Sequence, residues 1–219
     1  ADFENSYEAT FTKTPGYSGS TYGIIAESSF ANAITNESYH GHWSQKISIT
    51  DDPEQSGGWF VRHVSGSTAC RQENIILPTK GYVGFWAKTS TSGLEITLAI
   101  DNTDNVTADR GTIKPLLADS RWHLYEWNIH DNNDWHGWIN GDGQIDTPDF
   151  TLDSIQIFGP DTDAEIYIDT ISHNQTASLA FLFNQGDFEP DGDVDFYDFS
   201  LFAQYWLTND EDENYNQLY

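Results

Sequence analysis

The sequence predicts an all-β fold: a jelly-roll β-sandwich carrying a small C-terminal calcium loop–helix appendage. Three observations point there. Short apolar and β-branched runs recur along the first 171 residues, with Gly, Asn, Asp, Ser and Thr between them. Several alternate with period two, so that one face is apolar. No helical period appears before residue 190. Many short strands at regular spacing suit a sandwich or jelly roll.

The strand candidates, in order, are Tyr22–Ala26, Gln45–Ile49, Trp59–His63, Asn74–Leu77, Tyr82–Lys88, Leu94–Ile100, Trp122–Ile129, Leu152–Phe158 and Glu165–Ile171. The alternation is clearest in Tyr82-Val-Gly-Phe-Trp-Ala-Lys88 and Glu165-Ile-Tyr-Ile-Asp-Thr-Ile171. Residues 10–22 and 131–149 read as long polar loops. The chain of 219 residues is long enough for one large β domain plus an appendage.

The formal net charge is −26, and it is unevenly spread. Residues 1–121 hold all 9 basic residues against 14 acidic ones, a balance of −5. Residues 122–219 hold 21 acidic residues and no Lys or Arg. No basic stripe exists for a phosphate backbone, which argues against nucleic acid. No apolar stretch approaches the ~20 residues of a membrane span. A half-chain of uncompensated carboxylates resists compaction unless cations neutralise it. Cys70 is the only cysteine, so no intrachain disulfide forms; it reads as a small core residue, or else as an intermolecular bridge. The composition suits a secreted, extracellular or cell-surface protein in which calcium does the stabilising.

The calcium loop is explicit. From Asp187, oxygen-bearing side chains fall at loop positions 1, 3, 5, 9 and 12 as Asp187, Glu189, Asp191, Asp195 and Asp198. Gly192 supplies the turn at position 6, and Asp193 at position 7 offers its carbonyl. Ca²⁺ takes 6–8 hard oxygens, and this spacing converges them. The helix that follows is apolar nearly all round, through Phe196, Tyr197, Phe199, Leu201, Phe202, Ala203, Tyr205, Trp206 and Leu207. Burying five or six such side chains contributes on the order of 10 kcal/mol gross. The helix therefore needs a receiver: the sandwich, a second copy or a partner.

The loop and helix resemble one dockerin repeat, which has Asp at position 12 and a helix only on the C-terminal side. The match covers about residues 184–207, and the second repeat of a full dockerin is missing. Upstream, Asp2-Phe-Glu4, His42-Trp-Ser-Gln-Lys-Ile-Ser-Ile49, Gly81-Tyr-Val-Gly-Phe-Trp-Ala-Lys88, Trp122-His-Leu-Tyr-Glu-Trp-Asn-Ile129, Leu152-Asp-Ser-Ile-Gln-Ile-Phe158 and Ile166-Tyr-Ile-Asp-Thr-Ile171 occur in order. Residues 1–173 so resemble the galactose-binding-like jelly rolls of carbohydrate-binding modules. That resemblance implies a structural Ca²⁺ between Glu4 and Asp169, with carbonyls near Gly41 as co-ligands. The expected organisation is a jelly roll over 1–175, a connecting strand or linker over 176–183, the loop and helix over 184–208, and an acidic tail over 209–219.

For function, no Gly-x-Ser-x-Gly, phosphate loop or His-Glu-x-x-His is present, and no carboxylate pair is singled out. An enzyme is not expected. His40 and His42 flank Gly41 and read as structural. Asn140-Gly-Asp-Gly-Gln-Ile-Asp146 has a metal-loop flavour in an imperfect register. Glycan binding needs exposed flat rings. Trp43, Trp59, Trp135 and Trp138 are candidates, with Trp135 and Trp138 preferred because they sit in a polar loop; Trp86 and Trp127 sit in strand patterns and read as core. Asn36, Asn105 and Asn174 begin Asn-x-Ser/Thr sequons and are candidate glycosylation sites. The leading expectation is a non-catalytic calcium-binding structural subunit. It would assemble as a homo-oligomer or head-to-tail filament through the C-terminal helix and the terminal Tyr215-Asn-Gln-Leu-Tyr219. The alternatives are a module that tethers to polysaccharide and a dockerin-like anchor to a scaffold protein.

Overall fold

The computed structural model describes residues 1–4, 10–66, 74–103, 107–181, 196–197, 199–200 and 203. Twelve strands are described: β1 (Phe30–Ile34), β2 (Ser44–Ile49), β3 (Trp59–Val64), β4 (Ile76–Pro78), β5 (Tyr82–Thr89), β6 (Glu95–Asn102), β7 (Ala108–Gly111), β8 (Lys114–Pro115), β9 (His123–Asn128), β10 (Trp135–Ile139), β11 (Asp149–Gly159) and β12 (Ala164–Asn174). They form two antiparallel sheets. One has the order β1-β2-β12-β5-β9. The other has the order β10-β7-β6-β11-β3, with β4 paired to β11 and β8 to β6. The fold class is the expected all-β jelly-roll sandwich.

The period-two pattern builds the core. Ile47 and Ile49 of β2, Val83 and Phe85 of β5, and Ile166 and Ile168 of β12 face inward from the first sheet. Val61 of β3, Ile96, Leu98 and Ile100 of β6, and Ile155 and Ile157 of β11 meet them from the second. Each fully buried side chain of this kind stabilises the fold by roughly 1.5–3 kcal/mol. Three buried indoles also satisfy their N–H groups. Trp59 donates to the Thr162 carbonyl, Trp127 to Thr112 and Trp135 to Asn128, each at 2.9 Å.

Two segments differ from expectation. Tyr22–Ala26 is not a strand: Tyr22 and Ile24 each make one isolated bridge, to Phe60 and Asp51, and Ala26–Ser28 is a 3₁₀ turn. Gly23 at φ +74 interrupts it. The 131–149 stretch is not all loop, because Trp135–Ile139 pairs with β7. Gly137 permits this, since a Cβ there would meet the Gly141 carbonyl at 2.2 Å.

Three register shifts shape the sandwich. They fall between Gly137 and Ile139 in β10, between Leu152 and Ser154 in β11, and between Asp169 and Ser172 in β12. A bulge inserts a residue and re-aims its side chain. Trp138 and Asp153 are inserted residues, and Asp169 is the last paired residue before the third bulge. Thr170 within it has φ +50, a left-handed value that costs a β-branched residue of order 1–3 kcal/mol.

Beyond the sandwich, Leu179 is buried, and its N–H donates to the Glu126 carboxylate at 2.7 Å. Asp187, Glu189, Asp191, Asp193, Asp195 and Asp198 of the expected calcium loop lie outside the described residues, as do Cys70 and Asn105. Most of the helix and the whole tail lie outside them too. Phe196, Tyr197 and Phe199 are 85%, 55% and 60% exposed. No helix among the described residues is long and apolar enough to cross a membrane.

Candidate glycan-binding face and carboxylate clamp

The outward residues of the seven-stranded sheet form the first site. The register sets them in rows. Arg110 faces Ala99, Ala99 faces Ser154, and Ser154 faces Val64. In the next row, Thr97 faces Gln156 and Gln156 faces Arg62; beyond it, Glu95 faces Phe158 and Phe158 faces Phe60.

Over this grid lie rings and guanidinium groups. Tyr22 packs on Phe60 at 5.8 Å between centroids, and Phe60 on Phe158 at 4.9 Å. Tyr22 is 55% exposed, so the strip of three rings opens to solvent at one end. Trp138, on the far edge strand, reaches back until its ring lies 5.2 Å from the Arg62 guanidinium carbon. Five strands separate these two edges inclusively, so the face curls toward its centre. Arg62 is held from below by Asp153. Its Nε–H donates to Oδ2 at 3.0 Å and its second guanidinium arm to Oδ1. A bidentate pair of this kind fixes the guanidinium plane.

Gln156 sits at the centre of this face. It is fully buried, and neither its Nε2 nor its Oε1 has a hydrogen-bond partner. The Nε of Arg110 and the Oγ1 of Thr151 are also buried and unpartnered. A buried amide left unmet costs about 1–3 kcal/mol, so most native side chains find a partner. The face carries guanidinium groups and flat apolar rings in adjoining rows. That combination suits a polyhydroxylated ring, whose C–H face stacks while its hydroxyls exchange hydrogen bonds.

The second site brings Glu4 and Asp169 to one segment of chain through backbone N–H groups. Asp169 is fully buried. Its Oδ2 accepts from the N–H of Tyr39 at 2.8 Å and of His40 at 3.1 Å. Its Oδ1 accepts from the N–H of Thr170 at 2.6 Å. Glu4 Oε1 accepts from the N–H of His42 at 2.8 Å and of Trp43 at 2.6 Å. The segment 39–43 is thus slung between two carboxylates. Gly41 lets it pass: its φ is +69, and a Cβ would come 2.5 Å from Glu4 Oε1. The Gly41 carbonyl accepts from the Ser38 hydroxyl at 3.0 Å. Burial pushes the Asp169 carboxyl up to about 6, against the pull of its N–H donors. No basic side chain pairs with it among the described residues. A buried carboxylate without a counter-charge is costly, and its backbone N–H donors offset part of that cost.

Solved structures of similar fold are carbohydrate-binding modules. A family 30 module is 15% identical, with 84% of this chain and 97% of that one covered and a TM-score of 0.42. The family 11 module of the cellulosomal cellulase Lic26A-Cel5E of Clostridium thermocellum is 13% identical, covering 79% and 98%, with a TM-score of 0.42. TmCBM61 in complex with beta-1,4-galactotriose is 13% identical, covering 64% and 77%, with a TM-score of 0.36. No protein-family model matches the chain, and no curated protein does.

The preferred tryptophans separate. Trp138 stands on the outward face. Trp135 does not: it is 2% exposed and packs inward, because the strand alternates and its indole N–H is met within the fold. Trp59 is buried for the same reason. Trp127 is core as expected, whereas Trp86 stacks outward on Tyr39 at 3.7 Å. Trp43 is 37% exposed beside a cavity of about 470 Å³ lined by Phe3, Glu4, Phe11 and Gln45 among others. In the 140–146 segment, the buried Asp109 accepts from the Gly143 N–H at 2.8 Å, and Asp142 from the Gln144 N–H at 3.0 Å. These carboxylates cap turns. Among the described residues no group of three or more His, Cys, Asp or Glu is placed to hold a metal. Asn36 is exposed; Asn174 is half-buried, and its Oδ1 accepts from Thr176.

The sequence reading missed Arg62, Arg110, Gln156, Phe60 and Phe158. One signal was available: Gln156 stands between Ile155 and Ile157 in the strand candidate Leu152–Phe158.

Proposed function

We propose that this chain is a non-catalytic, secreted glycan-binding module that tethers to polysaccharide through the outer face of its seven-stranded sheet. The observation that carries the reading is the Tyr22–Phe60–Phe158 strip, open to solvent at Tyr22, beside Trp138 and the Arg62 guanidinium on the same face. A sugar would stack its C–H faces on the exposed rings and exchange hydrogen bonds with polar groups at the surface of that face. Calcium is proposed at Glu4 and Asp169, where it would hold the 39–43 segment to β12, and in the 187–198 loop. Its role at the clamp is structural, since neither carboxylate lies on the glycan face.

Affinity electrophoresis against neutral and anionic plant and algal polysaccharides tests the reading. Retardation by at least one polymer, lost in Tyr22→Ala and Trp138→Ala, supports it. No retardation by any polymer, with the protein folded and calcium-loaded, overturns it. The leading sequence expectation, head-to-tail assembly through the C-terminal helix, finds no support among the described residues.

A further inference from the structure

We infer that the glycan bound at this face is anionic, a polysaccharide bearing carboxylate or sulfate groups, and that Arg110 reads the charge. The inference rests on the glycan reading above and narrows its ligand.

Acids outnumber bases 35 to 9 in this chain, so a basic side chain without an acidic partner is informative. Lys46 pairs with Glu165, Arg62 with Asp153 and Lys88 with Glu37. Arg110 is half-buried, yet its guanidinium meets no carboxylate among the described residues, and its Nε is buried without a partner. Its side chain does not turn outward to solvent. It leans along the face until the guanidinium carbon lies 5.8 Å from the Phe158 ring. Arg110 starts in the row of Ala99 and Ser154, and Phe158 lies two rows on, so the guanidinium crosses the row of Thr97 and Gln156. The guanidinium, with its Nε unmet, therefore lies over the row that holds Gln156.

The other charges of the face leave this position to an incoming anion. Asp153 is committed to Arg62. Asp101 lies on β6 beyond Ala99, on the side away from Phe158. Glu95, opposite Phe158, is exposed to solvent and forms no ion pair with Arg110. A guanidinium presents parallel donors that match a carboxylate or sulfate two at a time, and it is less strongly hydrated than an ammonium. The repulsion from the net charge of −26 is screened beyond about 8–10 Å at moderate salt, whereas a contact at Arg110 is not.

The test compares neutral polymers with anionic counterparts of related backbone: hydroxyethylcellulose against its C6-oxidised uronate form, and agarose against sulfated carrageenan. Full-length protein is titrated calorimetrically with each, at low and at moderate salt. The expected result is at least tenfold tighter binding to the anionic member of one pair, weakened by salt. Arg110→Gln weakens binding to the anionic member at least tenfold more than binding to its neutral counterpart; Arg110→Lys retains part of the preference. Equal or weaker binding to both anionic members overturns the inference while neutral binding keeps the glycan reading standing. So does an equal loss on neutral and anionic polymers in Arg110→Gln. Absence of binding to all four polymers overturns both.

Discussion

The buried His63 makes the stability of this sandwich depend on mild acid. Its ring lies on the inner side of β3, fully buried, with Nε2 2.7 Å from the Gln45 amide oxygen. Gln45 is itself fixed, donating to the Phe11 carbonyl at 2.6 Å. Nδ1 has no partner, and the Phe11 ring lies 5.4 Å away. Burial pushes the imidazole down from 6.5 to about 4. The fold therefore holds the neutral ring, while the unfolded chain takes up a proton as pH falls below 6.5. This contribution is intact above that pH, declines as pH falls from 6.5 toward 4, and changes no further below 4. A shift of this size amounts to about 3 kcal/mol in full, of which about 2 kcal/mol is lost by pH 5. Other groups titrate in the same window, so the comparison must be differential. Urea denaturation of the wild type and of His63→Gln at pH 7, 6 and 5 isolates the imidazole. The wild type should lose about 2 kcal/mol more than the variant between pH 7 and 5. Parallel loss in both proteins would refute the placement of His63 in the core.

Other outcomes follow from the same geometry. Trp135→Ala should cost about 3–5 kcal/mol of stability, whereas Trp138→Ala should leave the melting temperature nearly unchanged and reduce glycan affinity; equal destabilisation in thermal scans would contradict the opposite orientations assigned to them. Calcium at one hundred times its Kd should add about 2.7 kcal/mol to stability, seen as a higher Tm in calcium than in EDTA. Glu4→Gln with Asp169→Asn should remove the part of that gain due to the clamp, and Asp187→Asn with Asp191→Asn the part due to the loop; an unchanged response in both pairs would exclude both sites. Gly41→Ala forces a side chain into a left-handed conformation against Glu4. It should cost about 1–2 kcal/mol and weaken calcium binding in a chelator competition, and wild-type behaviour would show that the 39–43 segment is not clamped.

Much of the architecture was legible in the chain. Period-two alternation in Tyr82–Lys88 and Glu165–Ile171 predicts strands whose apolar faces meet, and β5 and β12 are neighbours in one sheet. Where the pattern is diluted, the strands were hidden. Phe30-Ala-Asn-Ala-Ile34 has little β-branched content, and Trp135-His-Gly-Trp-Ile139 lies inside a polar stretch with a central glycine. Their pairing comes from neighbouring strands that offer unmet backbone groups, which is a property of the assembled sheet. Glu4 and Asp169 were paired only by the resemblance to carbohydrate-binding jelly rolls, and the structure brings both to the 39–43 segment.

The sequence by itself determined the fold class, the acidic half without a basic residue and the calcium-loop spacing, because these depend on residue type and on fixed local periods. Only the tertiary structure decided which side of the sandwich carries the candidate site. A bulge shifts every later side chain of its strand to the opposite face, and nothing in the local sequence announces it. Alternation turns Trp135 inward and Trp138, three residues on, outward, while the bulges leave Trp138 and Asp153 unpaired and reset the face of the side chains that follow them. Arg62, Arg110 and Gln156 lie far apart in the chain and share a site because β7, β6, β11 and β3 are laid side by side.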